Sequence, residues 1–203
     1  MAINLQKGQR VDLTKSNPGL TKIMVGLGWD PVKTGGGGLL GSLFGGGGSS
    51  ANVDCDASVI MLGENDKLQN NNDVIYFGNL KSRDGSVQHS GDNLTGAGDG
   101  DDEQIMIDLS KVPSNIHKLV FVVNIYDAVK RKQHFGMIQN AFIRIVNSSN
   151  HTELLHYSLT DNYSGKTCLV AGEIYRHGAE WKFAAVGNGT NAGSLGEVVR
   201  SFS

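Results

Sequence analysis

The chain has 203 residues, a formal net charge of −2 and 39% hydrophobic residues. This composition suits one globular domain with a sizeable core, and it excludes a disordered chain and a strongly basic nucleic-acid binder. The 28 glycines and three prolines favour a turn-rich fold over a helical bundle.

The cysteine content and the hydropathy pattern bear on location. Cys55 and Cys168 form no CxxC pair, so the sequence predicts neither a disulfide framework nor a thiolate metal site. The polar N-terminal stretch does not resemble a signal peptide, and no apolar run reaches the roughly 20 residues of a membrane-spanning helix. We therefore expect a soluble, cytoplasmic protein that is not itself a membrane protein and binds no nucleic acid.

The N-terminal third predicts strands and one glycine-rich connection. Alternation over residues 3–13 predicts a hairpin around Gly8, residues 22–29 predict a strand, and Asp30-Pro31 predicts a turn. Residues 35–50, GGGGLLGSLFGGGGSS, have nine glycines around an apolar centre. Two interpretations of this segment stay open, a flexible loop and a tethered docking element for a partner.

Residues 52–62 predict a strand with two chemically different faces. Strand alternation places Asp54, Asp56 and Ser58 on one face. The opposite face is apolar and is predicted to contain Val53, Cys55, Ala57, Val59 and Met61.

The rest of the chain predicts short strands separated by turns. They are expected at residues 73–79, 104–113, 117–128, 141–147, 152–159, 167–178 and 180–187. RDGS at 83–86 and HGAEW at 177–181 predict hairpin turns, and residues 193–202 predict a short helix. The apolar centre of 117–128 is nearly continuous, which is typical of a strand buried on both faces. This rhythm predicts an all-β sandwich or barrel.

The stretch HSGDNLTGAGDGDDEQI, residues 89–105, is unusual because its acidic residues have no Lys or Arg among them. Like charges this close repel each other unless a cation neutralises them. Calcium binds six to eight oxygen ligands, and glycines allow a loop to bend around it. The candidate side-chain ligands in this stretch are Asp92, Asn93, Asp99, Asp101, Asp102 and Glu103.

Two other parts of the chain offer carboxylates to the same site. Asp54 and Asp56 are about 6.5–7 Å apart on one strand face, which suits two neighbouring ions or one ion with a shared rim. Asp30 lies at the end of a predicted strand. We expect Asp30, Asp54, Asp56 and the loop 92–103 to converge. The alternative is a solvated acidic loop that binds nothing.

Other metal sites fit the sequence less well. An EF-hand is excluded because Leu94 and Gly96 would occupy its third and fifth positions and strands flank the loop. Magnesium prefers fewer carboxylates and more waters, and the histidines lack zinc-ligand spacing.

Catalytic motifs are weak. GNGTNAG lacks the βαβ context of a dinucleotide site, and no GxSxG or Cys/His nucleophile arrangement appears. His89 is interpreted as a structural hydrogen-bonding residue. A metal-assisted hydrolase that uses the bound ion stays open as an alternative function.

Several blocks of the sequence resemble the TerD family of bacterial tellurite-resistance and stress-response proteins. They are GLGWD (26–30), VDCDASVIML (53–62), VIYFGN (74–79), HSGDNLTGAGDGDDEQI (89–105) and FGMIQNAFIRIVN (135–147). The order and spacing of these blocks match the family over nearly the whole chain. The resemblance implies a single domain, residues 1–203, that is a β-sandwich of two mainly antiparallel sheets with short helices in connections and near the C-terminus.

The resemblance also implies a calcium-binding protein without enzymatic activity. In the family, the Asp-x-Asp strand and the acidic loop hold adjacent calcium ions, which implies about two ions here. The ligands implied are Asp54, Asp56, Asp92, Asn93, Asp99, Asp101, Asp102 and Glu103, with Asp30 less directly matched and Leu94 a candidate backbone carbonyl. The partners implied are other stress-response and tellurite-resistance proteins, including a membrane-associated complex.

The sequence departs from the family at residues 34–50. Typical members connect the GWD motif to the Asp-x-Asp strand by a shorter, less glycine-rich segment. We expect this insertion to be a flexible loop beside the metal site, with a role that the sequence does not define.

Overall fold

The computed structural model describes residues 2–32, 53–91 and 100–203, and these residues form two stacked β-sheets with two short helices. The strands are, in chain order, β1 (Ile3–Leu5), β2 (Arg10–Asp12), β3 (Lys22–Pro31), β4 (Cys55–Leu62), β5 (Val74–Ile75), β6 (Val87–His89), β7 (Glu103–Asp108), β8 (Lys118–Ile125), β9 (Ile138–Asn147), β10 (Thr152–Ser158), β11 (Cys168–His177) and β12 (Glu180–Thr190). The helices are α1 (Ala128–Arg131) and α2 (Leu195–Arg200). The predicted all-β sandwich is therefore confirmed.

Each sheet contains six strands. Sheet A has the order β1-β10-β9-β3-β7-β6, and sheet B has the order β2-β12-β11-β8-β4-β5. β1 pairs in parallel with β10, and the other strand pairs in the described residues are antiparallel. The predicted insertion at 34–50 lies outside the described residues.

The predicted N-terminal hairpin is wrong. β1 joins sheet A beside β10, whereas β2 joins sheet B beside β12. The chain passes from one sheet to the other near Gly8, which has a φ of 82° and donates its N–H to the Ala185 carbonyl at 2.8 Å. Alternation specifies which side chains share a face, but it does not specify which strand is the neighbour.

Two local predictions also need correction. The predicted turn at Asp30-Pro31 is the last part of β3, which pairs with β9 through Asp30 and Gln139 after a bulge that follows Gly28. Proline is tolerated there because it lies directly after this bulge, where the strand ends. The strand predicted at 73–79 ends at Ile75, because Tyr76 and Asn79 close a tight turn through two backbone hydrogen bonds.

The core lies between the sheets and contains the predicted apolar face of β4. Val53, Cys55, Ala57, Val59 and Met61 all belong to this core. The prediction that the 117–128 segment is buried on both faces is also confirmed. The inward side chains of β8 join the core, and its outward side chains pack with α2 in a second cluster on the outer face of sheet B.

The acidic stretch connects β6, an edge strand of sheet A, to β7, its neighbour in the sheet. β6 and β7 form a hairpin in which His89 pairs with Ile105, and Ser90 donates its N–H to the Gln104 carbonyl at 2.9 Å. Along β7, Glu103, Ile105 and Ile107 are buried, whereas the alternate positions are more exposed. The hairpin therefore directs Glu103 into the space between the sheets.

Candidate metal centre

Glu103 is a carboxylate buried between the two sheets, with only 1% of its surface exposed. Its Oε2 accepts the backbone N–H of Ala57 at 2.6 Å and lies 3.2 Å from His89 Nε2. Its Oε1 is fully buried and accepts no hydrogen bond from the described residues. A buried acceptor without a donor is costly, so this oxygen is suited to a cation.

Asp102 lies beside Glu103 where the acidic stretch joins β7. Its N–H donates to the Leu27 carbonyl at 2.8 Å, and its Oδ2 accepts the N–H of Trp29 at 2.7 Å. Burial raises the pKa of Asp102, the Trp29 hydrogen bond opposes this, and the charges of Asp30, Glu103 and Asp101 raise it further. Such crowding of carboxylates favours either a proton or a bound cation.

Asp30 lies close enough to Asp102 for the two charges to interact. Its Oδ2 accepts a hydrogen bond from Asn140 Nδ2 at 2.8 Å. Asp30 is therefore on the Asp102 side of the predicted site.

Asp101 has a different environment from the other predicted ligands. Its carboxylate is completely buried and forms a two-pronged salt bridge with Arg144, with Oδ1–Nε at 2.7 Å and Oδ2–Nη2 at 3.0 Å. Gln104 Nε2 also donates to Oδ2 at 3.0 Å. The carboxylate lies directly over Gly26, whose lack of a side chain provides the space. Asp101 is thus engaged on the outer face of sheet A.

Asp56 lies on the outer face of sheet B, on the opposite side of β4 from Glu103. It alternates with Cys55 and Ala57, which face the core, and only 4% of its surface is exposed. Asn124, its partner on β8, donates from Nδ2 to Asp56 Oδ2 at 3.3 Å. The Oδ1 of Asn124 is buried and has no hydrogen-bond partner among the described residues.

Asp54 precedes β4 at the same end of the strand. Its carbonyl accepts the N–H of Tyr126 at 2.8 Å, and its Oδ2 lies 3.4 Å from Arg131 Nη1. This partly exposed ion pair balances some of the charge of Asp54.

The Cys55 thiol lies close enough to interact with the charges of two groups of carboxylates, Asp54 and Asp56 from the strand and Asp102 and Glu103 from the end of the loop. Burial raises the pKa of its thiol well above the usual value, and the charges of Asp56, Asp54, Glu103 and Asp102 add to this effect. Acidic residues from the strand and from the end of the loop therefore both lie near the start of β4. The β4 backbone nevertheless separates them into two subsets.

The described residues do not complete a metal cage. Within residues 2–32, 53–91 and 100–203, no group of three or more His, Cys, Asp and Glu side chains is arranged to hold a metal ion. Four predicted ligands lie outside the described residues, namely Asp92, Asn93, Leu94 and Asp99.

Sequence reasoning missed the role of Asn124. It is a nearly buried polar residue within the apolar segment LVFVVNI, and its amide lies beside Asp56. A single amide in a strand buried on both faces was a usable signal, because such a group requires a polar partner.

A TerD domain model matches residues 1–202. The chain belongs to the TerD family. It is 66% identical to stress response protein SCP2 of Bacillus subtilis (strain 168), with 100% of both chains covered. It is 45% identical to tellurium resistance protein TerD of Serratia marcescens, covering 100% of this chain and 97% of that protein.

A further relative by sequence and a solved structure are also consistent with membership of the TerD family. General stress protein 16U of Bacillus subtilis (strain 168) is 49% identical over 95% of this chain and 93% of its own length. A solved structure of a homologue of telluride resistance protein (TerD) from Streptomyces coelicolor A3(2) has a TM-score of 0.60 at 19% identity, covering 88% of this chain and 98% of that one. This likeness supports the sandwich fold of the TerD domain. Among the described residues, no helix is both long and apolar enough to cross a membrane.

Proposed function

We propose that this TerD-family protein is a calcium-binding, non-enzymatic module of a bacterial tellurite-resistance and stress-response system. The observation that carries the proposal is the buried Glu103 carboxylate, whose Oε1 has no hydrogen-bond donor among the described residues. Within residues 2–32, 53–91 and 100–203, no Lys or Arg forms an ion pair with Glu103 or Asp102. His89 Nε2 lies 3.2 Å from Glu103 Oε2 and balances its charge only when the ring is protonated, so a bound cation would supply the positive charge that a neutral His89 leaves missing.

The donor chemistry favours calcium. The candidate groups are carboxylate, amide and backbone oxygens, which are the ligands that calcium prefers. Asp102 and Glu103 would bind on the inner side of β4, and Asp54 and Asp56 near its outer side. This division is compatible with two ions, each completed by oxygens proposed from Asp92, Asn93, Leu94 and Asp99. Asp30 is proposed as an outer ligand, and Asp101 is the weakest candidate because Arg144 holds its carboxylate.

The proposed role is binding rather than catalysis. The relatives have the names of stress-response and tellurium-resistance proteins, which supports a role in those responses. We propose that calcium holds the acidic loop against the Asp-x-Asp strand, and that this surface binds other stress-response proteins in the cytoplasm, including a membrane-associated complex. Pull-down with and without chelator tests the calcium dependence of those contacts.

Thermal unfolding in calcium, magnesium and chelator tests the metal proposal. Calcium at a hundredfold excess over Kd should stabilise the protein by about 2.7 kcal/mol. For a chain of this size, that corresponds to a rise in Tm of about 5–11 °C. Magnesium should have a smaller effect, because it retains its waters and prefers few carboxylates. An unchanged Tm in saturating calcium would refute the proposal.

A double variant tests the ligands. Asp54→Asn combined with Asp102→Asn should remove the calcium-dependent rise in Tm, because it removes a charge from each side of β4. Glu64→Gln combined with Asp161→Asn removes the same charge from exposed positions and should leave the rise intact. If the rise survives in the first variant, these residues are not ligands.

A further inference from the structure

His89 is a buried histidine that contacts both ends of the acidic stretch. Its side chain is 0% exposed. Its Nδ1 accepts the N–H of Gly91 at 3.0 Å, while its Nε2 lies 3.2 Å from Glu103 Oε2 and 3.1 Å from the Ala57 carbonyl. The His89 ring therefore contacts Gly91, Glu103 and, in strand β4 of the opposite sheet, Ala57.

The contacts define which nitrogen carries the proton. A backbone N–H donates to Nδ1, so Nδ1 is an acceptor and the neutral ring carries its hydrogen on Nε2. This Nε2–H faces two acceptors, Glu103 Oε2 and the Ala57 carbonyl.

The same contacts orient the Glu103 carboxylate. Its Oε2 receives the N–H of Ala57 at 2.6 Å and faces the Nε2–H of His89. Two donors on one oxygen fix the rotamer of the side chain and leave Oε1 as the oxygen without a donor among the described residues. Fixing a ligand before binding reduces the entropy lost when a cation binds.

We propose that His89 is a positioning residue for calcium binding, which holds Glu103 and Gly91 against β4 without ligating the ion. The expected effect on calcium affinity rests on the proposed function, in which the protein binds calcium. Removing a residue that orients a metal ligand typically lowers the metal affinity by about 10–100-fold. We expect an effect of that size from the loss of the His89 contacts.

Two substitutions test the contacts of Nδ1 and of Nε2 separately. His89→Asn retains an acceptor near the position of Nδ1 and removes the donor to Glu103. His89→Gln retains a donor near the position of Nε2 and removes the acceptor for Gly91. Calcium affinity is measured by titration calorimetry, and backbone amide exchange is measured in chelator by NMR. His156→Gln, a half-exposed histidine on the outer face of sheet A, is the control.

The expected results differ between the variants. Both should bind calcium about 10–100-fold more weakly than wild type. In chelator, His89→Asn should lose protection at the Ala57 amide and keep it at Gly91, and His89→Gln should show the reverse. Wild-type affinity in both variants, with unchanged exchange at Gly91 and Ala57, would overturn the role of His89.

A wild-type measurement keeps the inference testable if a variant does not fold. The ¹⁵N shifts of His89 in the native protein should show a proton on Nε2 and none on Nδ1, and a proton on Nδ1 would overturn the proposal. If wild type itself binds no calcium, the proposed function fails together with the calcium role of His89. If wild type binds calcium and the variants bind equally well, only the role of His89 fails.

Discussion

Asp101 and Arg144 form a two-pronged salt bridge on the outer face of sheet A, with oxygen–nitrogen distances of 2.7 and 3.0 Å. The carboxylate is fully buried, whereas 29% of the Arg144 side chain is exposed. The pair joins the end of the acidic stretch to β9. We therefore propose a structural role for Asp101, although the sequence pattern around it suggested a metal ligand.

Asp101→Asn should therefore destabilise the protein in chelator. The change removes the negative charge that Arg144 requires, and hydrogen bonds to charged groups contribute about 1.5–3 kcal/mol. Denaturant unfolding measures this loss. Glu153→Gln, which removes the half-exposed partner of Arg144 Nη1, should cost less than about 1 kcal/mol.

Calcium affinity distinguishes the structural role of Asp101 from a ligand role. Asp101→Asn should bind calcium with an affinity close to that of wild type once it is folded. Loss of calcium binding at unchanged stability would instead identify Asp101 as a ligand and contradict the role assigned to the salt bridge.

Gly26→Ala should be destabilising because Asp101 occupies the space above Gly26. An added Cβ would overlap Asp101 Oδ1, in a carboxylate that Arg144 holds in place. Overpacking of this kind costs about 1–3 kcal/mol. In an Asp101→Ala background the cost of Gly26→Ala should fall, and a double-mutant cycle measures the coupling.

The control for this substitution is Gly196→Ala in α2. An added Cβ there meets its nearest neighbour at 3.7 Å, at the end of a Ser194 side chain. Alanine is favoured over glycine in a helix by about 0.5–1 kcal/mol, so this variant should be slightly more stable. Equal destabilisation of both variants would contradict a specific overlap at Gly26.

Both cysteines should be unreactive in the native protein. Burial raises the pKa of Cys168 from 9.0 to about 11 and that of Cys55 well above its usual value. A rise of two pKa units lowers the thiolate fraction near pH 8 by about 100-fold, and the thiolate is the reactive form.

Labelling with a thiol-specific disulfide reagent measures this reactivity. The native protein should react far more slowly than free cysteine, and both thiols should react after denaturation. This result would argue against direct thiol chemistry on tellurite. Native labelling of either cysteine at the rate of a free thiol would contradict the burial of that thiol.

Val198→Ala should destabilise the packing of α2 on sheet B. Val198 is 6% exposed and packs in the outer cluster with Ile60, Val120 and Val122. Loss of its two methyl groups should cost about 2 kcal/mol in the free energy of unfolding. Val129→Ala is the matched control because Val129 is 71% exposed, so its effect should stay within about 0.5 kcal/mol. Equal effects of both substitutions would contradict the docking of α2.

The sequence determined the fold class, and the position of the metal site stays a prediction. Alternation along residues 52–62 correctly separated the core face from the acidic face, because the side-chain period of a strand is a local property. The continuous apolar run of β8 likewise indicated burial on both faces. The strand pattern alone predicted either a sandwich or a barrel. The resemblance to the TerD family narrowed this prediction to a sandwich of two sheets.

Only the tertiary structure decided which strands are neighbours and where each carboxylate points. Residues 3–13 alternate like a hairpin but divide between two sheets, because alternation does not encode the partner strand. Asp101 and Glu103 are two residues apart in the sequence, yet Arg144 holds one on the outer face and Ala57 holds the other between the sheets. Their different environments come from strands distant in the chain, and no local pattern specifies those contacts.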